Sequence, residues 1–293
     1  MSLVPTYRRR PTPLHAARAG IGICYCAAFL AVGVLYSNPL VLGGALAGLV
    51  LAATFAGASA ELRSGARLAL PVAVLLVVIN ALVYREGNTV IFRGGEVLGR
   101  RLDVTLESLA GGGVAALRVL VVAGAFALYT AAVDPDAVLG LLRRVSYRSA
   151  LTGSLATRLI PVLQRDAERM IEASRCRPRP PRRGRVVLAV LARSLDRATD
   201  VAAALEVRGY ARARPGRGRR RPWSRHDTRL AATALAVVVT AVAGKVTGAG
   251  AFVAYPSLAV AHGPRELGLA ILVVAAGALP FAGARARLGV AGA

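Results

Sequence analysis

Residues 19–60 read AGIGICYCAAFLAVGVLYSNPLVLGGALAGLVLAATFAGASA. None of these side chains carries a charge. A helix needs about 20 mostly apolar residues to cross the hydrocarbon core of a bilayer. The stretch therefore reads as two successive spans, Ala19–Tyr36 and Pro39–Ala60. Arg8–Arg10 and Arg18 ahead of it resemble the basic start of a signal peptide. A second apolar window directly after the first instead favours a retained membrane anchor.

The pattern recurs on either side of a long polar segment. A third span is expected at Leu68–Tyr84 (LALPVAVLLVVINALVY) and a fourth at Gly111–Val133, with Arg118 its one charge. A fifth is expected at Leu230–Val246 and a sixth at Leu267–Gly283. Ala249–Ala261, with Tyr255 and Pro256, reads as an outer loop or a re-entrant piece. The expected fold class is all-α, a polytopic membrane protein with about six transmembrane helices.

Composition supports this class. Hydrophobic residues make up 55% of the 293, and mean hydropathy is +0.54. That apolar content excludes intrinsic disorder. Three cysteines exclude a disulfide scaffold. Lys and Arg number 38 against 15 Asp and Glu, a formal net charge of +23. Lys245 is the one lysine, and the heavy Ala, Gly and Val usage looks like a GC-rich coding background. Part of the charge therefore reflects codon drift.

Basic residues concentrate in the cytoplasmic loops of membrane proteins, and this orients the spans. The tail with Arg8–Arg10 and Arg18 is expected inside, as is a connection at Glu61–Arg67. The outer connection, Arg85–Ala110, is near neutral, with Arg85, Arg93, Arg100 and Arg101 offset by Glu86, Glu96, Asp103 and Glu107. Three regions follow: a membrane domain of four spans at 1–133, a cytoplasmic region at 134–228 and a C-terminal membrane hairpin at 229–293.

The cytoplasmic region carries most of the charge. Residues 143–229 hold 23 arginines and 7 acids. A short helix is expected at Asp134–Val145, with Asp134 as cap and Pro135 in the first turn. A second is expected at Leu155–Arg175, where Leu155, Leu159, Leu163, Ala167, Met170 and Ser174 share a face and prolines follow. A third is expected at Val186–Arg208, with Leu188, Leu191, Leu195, Ala198, Ala202 and Leu205 on one face and Gly209 as C-cap. Arg193, Asp196, Arg197 and Asp200 lie opposite, spaced for intrahelical ion pairs. Two uses fit such helices: lying on the membrane surface with arginines snorkelling, or forming a platform for a soluble partner.

Arg158–Pro178 (RLIPVLQRDAERMIEASRCRP) and Asp196–Tyr210 (DRATDVAAALEVRGY) resemble the coupling-helix ends of the T component of energy-coupling factor transporters, the EcfT/CbiQ family. Members of that family typically carry an Ala-Arg-Gly-like triplet at each coupling-helix end. Here Val207-Arg208-Gly209 matches the second triplet. Cys176-Arg177-Pro178 stands at the first and departs at both flanking positions, so Arg175 is the alternative register. Glu172-Ala173 favours Arg177. Weaker likeness extends to Asn80, to Thr89–Arg93 and to Leu117-Arg118.

The resemblance implies a non-catalytic subunit in a prokaryotic cytoplasmic membrane, with the N-terminus and coupling region inside. It would join two ABC-type ATPases, separate or fused, to a membrane-embedded substrate-binding S component for a vitamin or a transition-metal ion. Each triplet would dock on one ATPase. ATP would be used by those partners, with no cofactor in this chain.

Several chemistries lack their residues. A phosphate loop needs GxxxxGK[ST], but Gly244-Lys245 is followed by Val246, with Val239 where the first glycine belongs. His15, His226 and His262 are isolated, and Cys24 and Cys26 read as small apolar fillers, so no metal site is expected. Gly111–Gly113 reads as a flexible start to the fourth span. Arg118, a charge within a span, reads either as a structural bond to Asn80 or a helix carbonyl, or as a contact to a partner or substrate path. The competing function class is a membrane-anchored basic protein that binds nucleic acid or another polyanion. Few aromatics (Tyr147, Tyr210, Trp223) accompany its arginines, and acids are interleaved with them, which argues against nucleic acid.

Overall fold

The computed structural model describes residues 10–83, 89–97, 100–142, 147–176, 183–209, 223–253, 259–260 and 263–282. Among them the chain forms α1 (Pro13–Ala16), α2 (Ala19–Leu35), α3 (Pro39–Phe55), α4 (Ser59–Val83), β1 (Val90–Val97), β2 (Arg100–Thr105) and α5 (Leu106–Ala132). Then come α6 (Pro135–Leu142), α7 (Tyr147–Arg175), α8 (Arg183–Val207), α9 (Arg225–Val246), β3 (Phe252–Val253), β4 (Ala259–Val260) and α10 (Pro264–Ala278), closed by a 3-10 turn at Leu279–Phe281. The fold is all-α, with two small two-stranded additions.

Four helices are long and apolar enough to span a bilayer: α4, α5, α9, and α10 with its closing turn. The α2 and α3 helices are apolar but shorter, 17 residues each. At 1.5 Å per residue they rise about 25 Å. Their hairpin is cut short at Ser37-Asn38. The Asn38 side chain accepts from Leu40 N at 2.9 Å, and Pro39 starts α3. Short length goes with a central place, for Phe29, Val32, Leu42, Ala45, Leu49 and Ala52 are fully or almost fully buried.

The chain divides into two compact units, Met1–Pro135 with Trp223–Ala293, and Asp136–Pro222. In the first unit α2 and α9 run parallel: Arg18 meets Asp227 at one end, and the Tyr36 hydroxyl donates to Ala241 O at 2.7 Å at the other. Tyr25 donates to Ala276 O at 3.0 Å, linking α2 to α10. The α3 and α10 helices approach closely at glycines. A Cβ at Gly48 would lie 2.7 Å from Val273 O, one at Gly44 2.9 Å from Ala270 O, and one at Gly277 would fall on the Gly48 carbonyl. Within lipid, water expulsion does little to join helices, so close backbone approach at small residues supplies the contact.

Two expectations are corrected, and two connections gain secondary structure. Glu61–Arg67 is the start of α4, not a connection, because Gly57, at φ +69°, turns the chain at once and Ala58 N bonds Ala53 O at 2.7 Å. Gly111–Gly113 lies inside α5, which starts at Leu106 with Thr105 Oγ1 accepting from Ser108 N. Gly112 there makes room for α4, since a Cβ would sit 2.9 Å from Val77 Cα. The Arg85–Ala110 connection contains the antiparallel β1–β2 hairpin, whose register sets Arg93 opposite Asp103 and Glu96 opposite Arg101. Ala249–Ala261 contains the antiparallel β3–β4 pair, with residues 254–258 and 261 outside the described set.

The α3–α10 contact yields a paired test. Gly277→Val should destabilise the chain by about 1–3 kcal/mol, the usual range for overpacking. Gly43→Ala, on the open side of α3 with nothing near its Cβ, should stay within about 1 kcal/mol of the parent and lean towards stabilisation. Thermal unfolding in one detergent compares the two.

Candidate functional site

In the second unit α7 and α8 pack on one another. Both run longer at their starts than the sequence reading. On α7 the expected stripe of Leu155, Leu159, Leu163, Ala167, Met170 and Ser174 is half-buried. On α8 the expected stripe is corrected. Leu188, Leu191 and Leu195 are 71%, 60% and 69% exposed. The half-buried positions are Val186, Val190, Ser194, Val201 and Leu205. The helix is apolar on two faces, and α7 takes the one rich in valine. The leucine ridge stands exposed among the described residues.

An ion pair fastens the two helices. Arg197 Nη1 donates to Asp166 Oδ2 at 3.0 Å. The expected pairing of Arg197 within α8 gives way to this contact, because Asp166 is half-buried on the α7 face that meets α8.

The triplet residues stand at helix ends. Val207 closes α8 and is 90% exposed, and Arg208 beside it is exposed. Gly209 adopts φ +69°, which only glycine takes without strain. Arg208 N bonds Ala204 O at 3.2 Å and Gly209 N bonds Glu206 O at 2.9 Å, so the last turn is closed by backbone alone. Cys176 follows α7 directly and is exposed. Arg175 is the last residue of α7. Arg177 and Pro178 lie outside the described residues, as does Tyr210.

Arg118 and Asn80 sit in the first unit. Arg118 Nη2 donates to Tyr36 O at 3.1 Å and to Ser37 Oγ at 2.8 Å. Of the two readings this is the structural one: a helix-end carbonyl and a hydroxyl take Nη2 of the guanidinium, while its buried Nε has no hydrogen-bond partner among the described residues. Asn80 donates to Leu76 O at 2.9 Å, one turn back on its own helix. The proposed Arg118–Asn80 bond is replaced by these contacts.

The sequence reading gave no structural role to three polar residues of the bundle. His15, Glu107 and Asp227 are all buried. Glu107 accepts from Thr89 Oγ1 at 3.0 Å and Thr89 N at 3.2 Å, pinning the base of the β-hairpin to α5. Ser224 and Asp227 form a capping box at the start of α9. Its signature, Ser-x-x-Asp before an apolar run, stands in the sequence. Among the described residues no group of three or more His, Cys, Asp or Glu is placed to hold a metal ion.

The family model described as CbiQ, cobalt transport protein, matches residues 11–218, well over half of the chain. No curated protein matches the chain.

The helix pair gives a testable magnitude. Arg197 is partly exposed, so a double-mutant cycle with Arg197→Ala and Asp166→Ala should return a coupling of about 0.2–1 kcal/mol, falling as salt rises. Urea unfolding of the four variants at two salt concentrations measures it.

Proposed function

Because the chain belongs to the CbiQ family of cobalt transport proteins, we propose that it is the transmembrane coupling subunit of an energy-coupling factor importer. In this reading two ABC-type ATPases, separate or fused, dock on the ends of α7 and α8. A membrane-embedded S component carries the transported vitamin or metal ion. The site residues are Cys176, Arg177 and Pro178 on one side and Val207, Arg208 and Gly209 on the other, with Arg175 the alternative to Arg177. The membrane is the prokaryotic cytoplasmic membrane, with the N-terminus and the α7–α8 region inside.

The observation that carries the reading is the end of α8. An arginine stands exposed beside an exposed valine, and a glycine stops the helix directly behind them. A guanidinium presents a rigid fork of donors that suits a carboxylate and stays charged at any physiological pH. On a helix of 25 residues it is a contact at the tip of a stiff rod. ATP-driven closure of two ATPases would move two such tips, and the rods would carry the motion to the membrane partner. The bare Leu188–Leu191–Leu195 ridge supports that second contact, since an apolar ridge needs lipid or an apolar partner to cover it.

The chain supplies no ATP chemistry in this scheme. It binds, transmits and positions, and ATP is consumed by the partners.

Affinity purification of the tagged chain in mild detergent tests the proposal. ABC-type ATPases and a small integral-membrane protein should be recovered with it. Arg208→Glu should weaken ATPase recovery by about 10-fold or more, since breaking a buried interfacial charge pair costs about 2–5 kcal/mol. Arg177→Glu should act alike, and the variants should still insert and purify. Unchanged recovery with both reversals would sink the docking role. Recovery of nucleic acid in place of ATPases would favour the polyanion-binding alternative.

A further inference from the structure

The segment from Arg10 to Arg18 touches several helix ends at the side of the bundle where the α6–α8 segment leaves and returns. Arg10 donates through Nη2 to Glu61 Oε1 at 2.6 Å and through Nη1 to Gly57 O, which holds the α3–α4 turn. His15 Nε2 lies 3.2 Å from Ala131 O in the last turn of α5. Its Nδ1 lies 2.6 Å from Thr12 Oγ1. A carbonyl only accepts, so Nε2 carries the proton there. Arg18 N donates to Asp227 Oδ1 at 2.8 Å in the first turn of α9. Ser224 N donates to Asp227 Oδ2 at 2.9 Å, and the Arg18 guanidinium lies 5.1 Å from the centroid of the Trp223 ring.

The chain departs for α6 just after Ala131 and comes back at Trp223. His15 is bonded to the departure point, and Asp227 to the return point. Only Ala16 and Ala17 separate His15 from Arg18. Leu14, His15 and Asp227 are buried, so these contacts compete little with water.

We infer that Arg10–Arg18 is a brace that holds the departure and return points of the α6–α8 segment at a fixed separation, with His15 and Asp227 as its positioning residues. The consequence for transport rests on the coupling reading given above. A lever moves its load only if its mounting does not yield. If the two points could splay, displacement of α7 and α8 would be absorbed in the mounting. A set of unrelated local contacts would behave differently, because cutting one would leave the others unchanged.

Hydrogen exchange on the 293-residue chain in lipid nanodiscs separates the two. His15→Ala should speed exchange by about 10-fold or more at 128–134 and also at 223–230, as expected when a cooperative unit opens. His15→Gln keeps an N–H donor for Ala131 O and should restore most of the protection at both places. Asp227→Ala should loosen 128–134 in return, and Asp227→Asn, which keeps the acceptor for Arg18 N, should do so less. Acceleration confined to 128–134 in His15→Ala would overturn the brace, as would equal loss in His15→Gln and His15→Ala. Should Asp227→Ala fail to accumulate, the His15 pair still decides. The readout needs no partner, so failure of the parent chain to bring down ATPases would refute the coupling reading and leave the exchange result standing.

Discussion

A peptide group inside a bilayer has no water to bond, so each buried N–H and C=O must find its partner within the protein. In the first unit the constraint extends from the backbone to the side chains. Tyr25 and Tyr36 each send a hydroxyl to a carbonyl on a neighbouring helix. Arg118 is held by the Tyr36 carbonyl and the Ser37 hydroxyl at the end of α2. His15 lies against the Ala131 carbonyl. These are the polar ties between helices that apolar side chains in lipid supply only weakly. They work because α3 and α10 approach at Gly44, Gly48 and Gly277, where a β-carbon would strike backbone.

Tyr36 shows how much can meet at one residue. Its carbonyl receives Arg118 from α5, and its hydroxyl reaches Ala241 on α9. Its ring packs so tightly against Gly250 that a Cβ there would come within 2.6 Å. Gly250 N in turn donates to Glu266 Oε1 at 3.1 Å, in the first turn of α10. One tyrosine at the end of a short helix therefore links α2, α5, α9 and the start of α10. This also explains why α2 can be short: its end is finished by protein groups and needs no contact with solvent.

The second unit follows a different logic. Its helices α7 and α8 are long and largely exposed, and the ion pair between them involves a partly exposed arginine. The leucines at 188, 191 and 195 stand mostly exposed. A helix apolar on two faces, with one face bare and its tip closed by Gly209, is suited to being part of a larger assembly. The two units thus divide the work: one is held by interhelical bonds to carbonyls, and the other leaves its apolar and charged groups available.

Much of this was readable from residue order. Six uncharged or nearly uncharged windows became six helices, because lipid leaves the backbone no other choice at that length and polarity. Pro135, Gly209 and the prolines after Arg175 marked helix limits through backbone chemistry that needs no neighbours. Val207-Arg208-Gly209 was visible as a triplet, and the structure puts it exposed at a helix end. What the sequence left undecided depended on neighbours. Whether Arg197 paired along its own helix or across to Asp166 turned on how α7 and α8 met. Which of the two apolar faces of α8 was covered turned on the same packing. That Gly112 serves the approach of α4, and that His15 and Asp227 lie on one short segment's path between helix ends, required partners far apart in the chain. A one-dimensional pattern records which residues want to be buried or paired. Only the packed helices decide with what, because that choice is made by distance between groups that the sequence keeps far apart, 251 residues in the case of Tyr25 and Ala276.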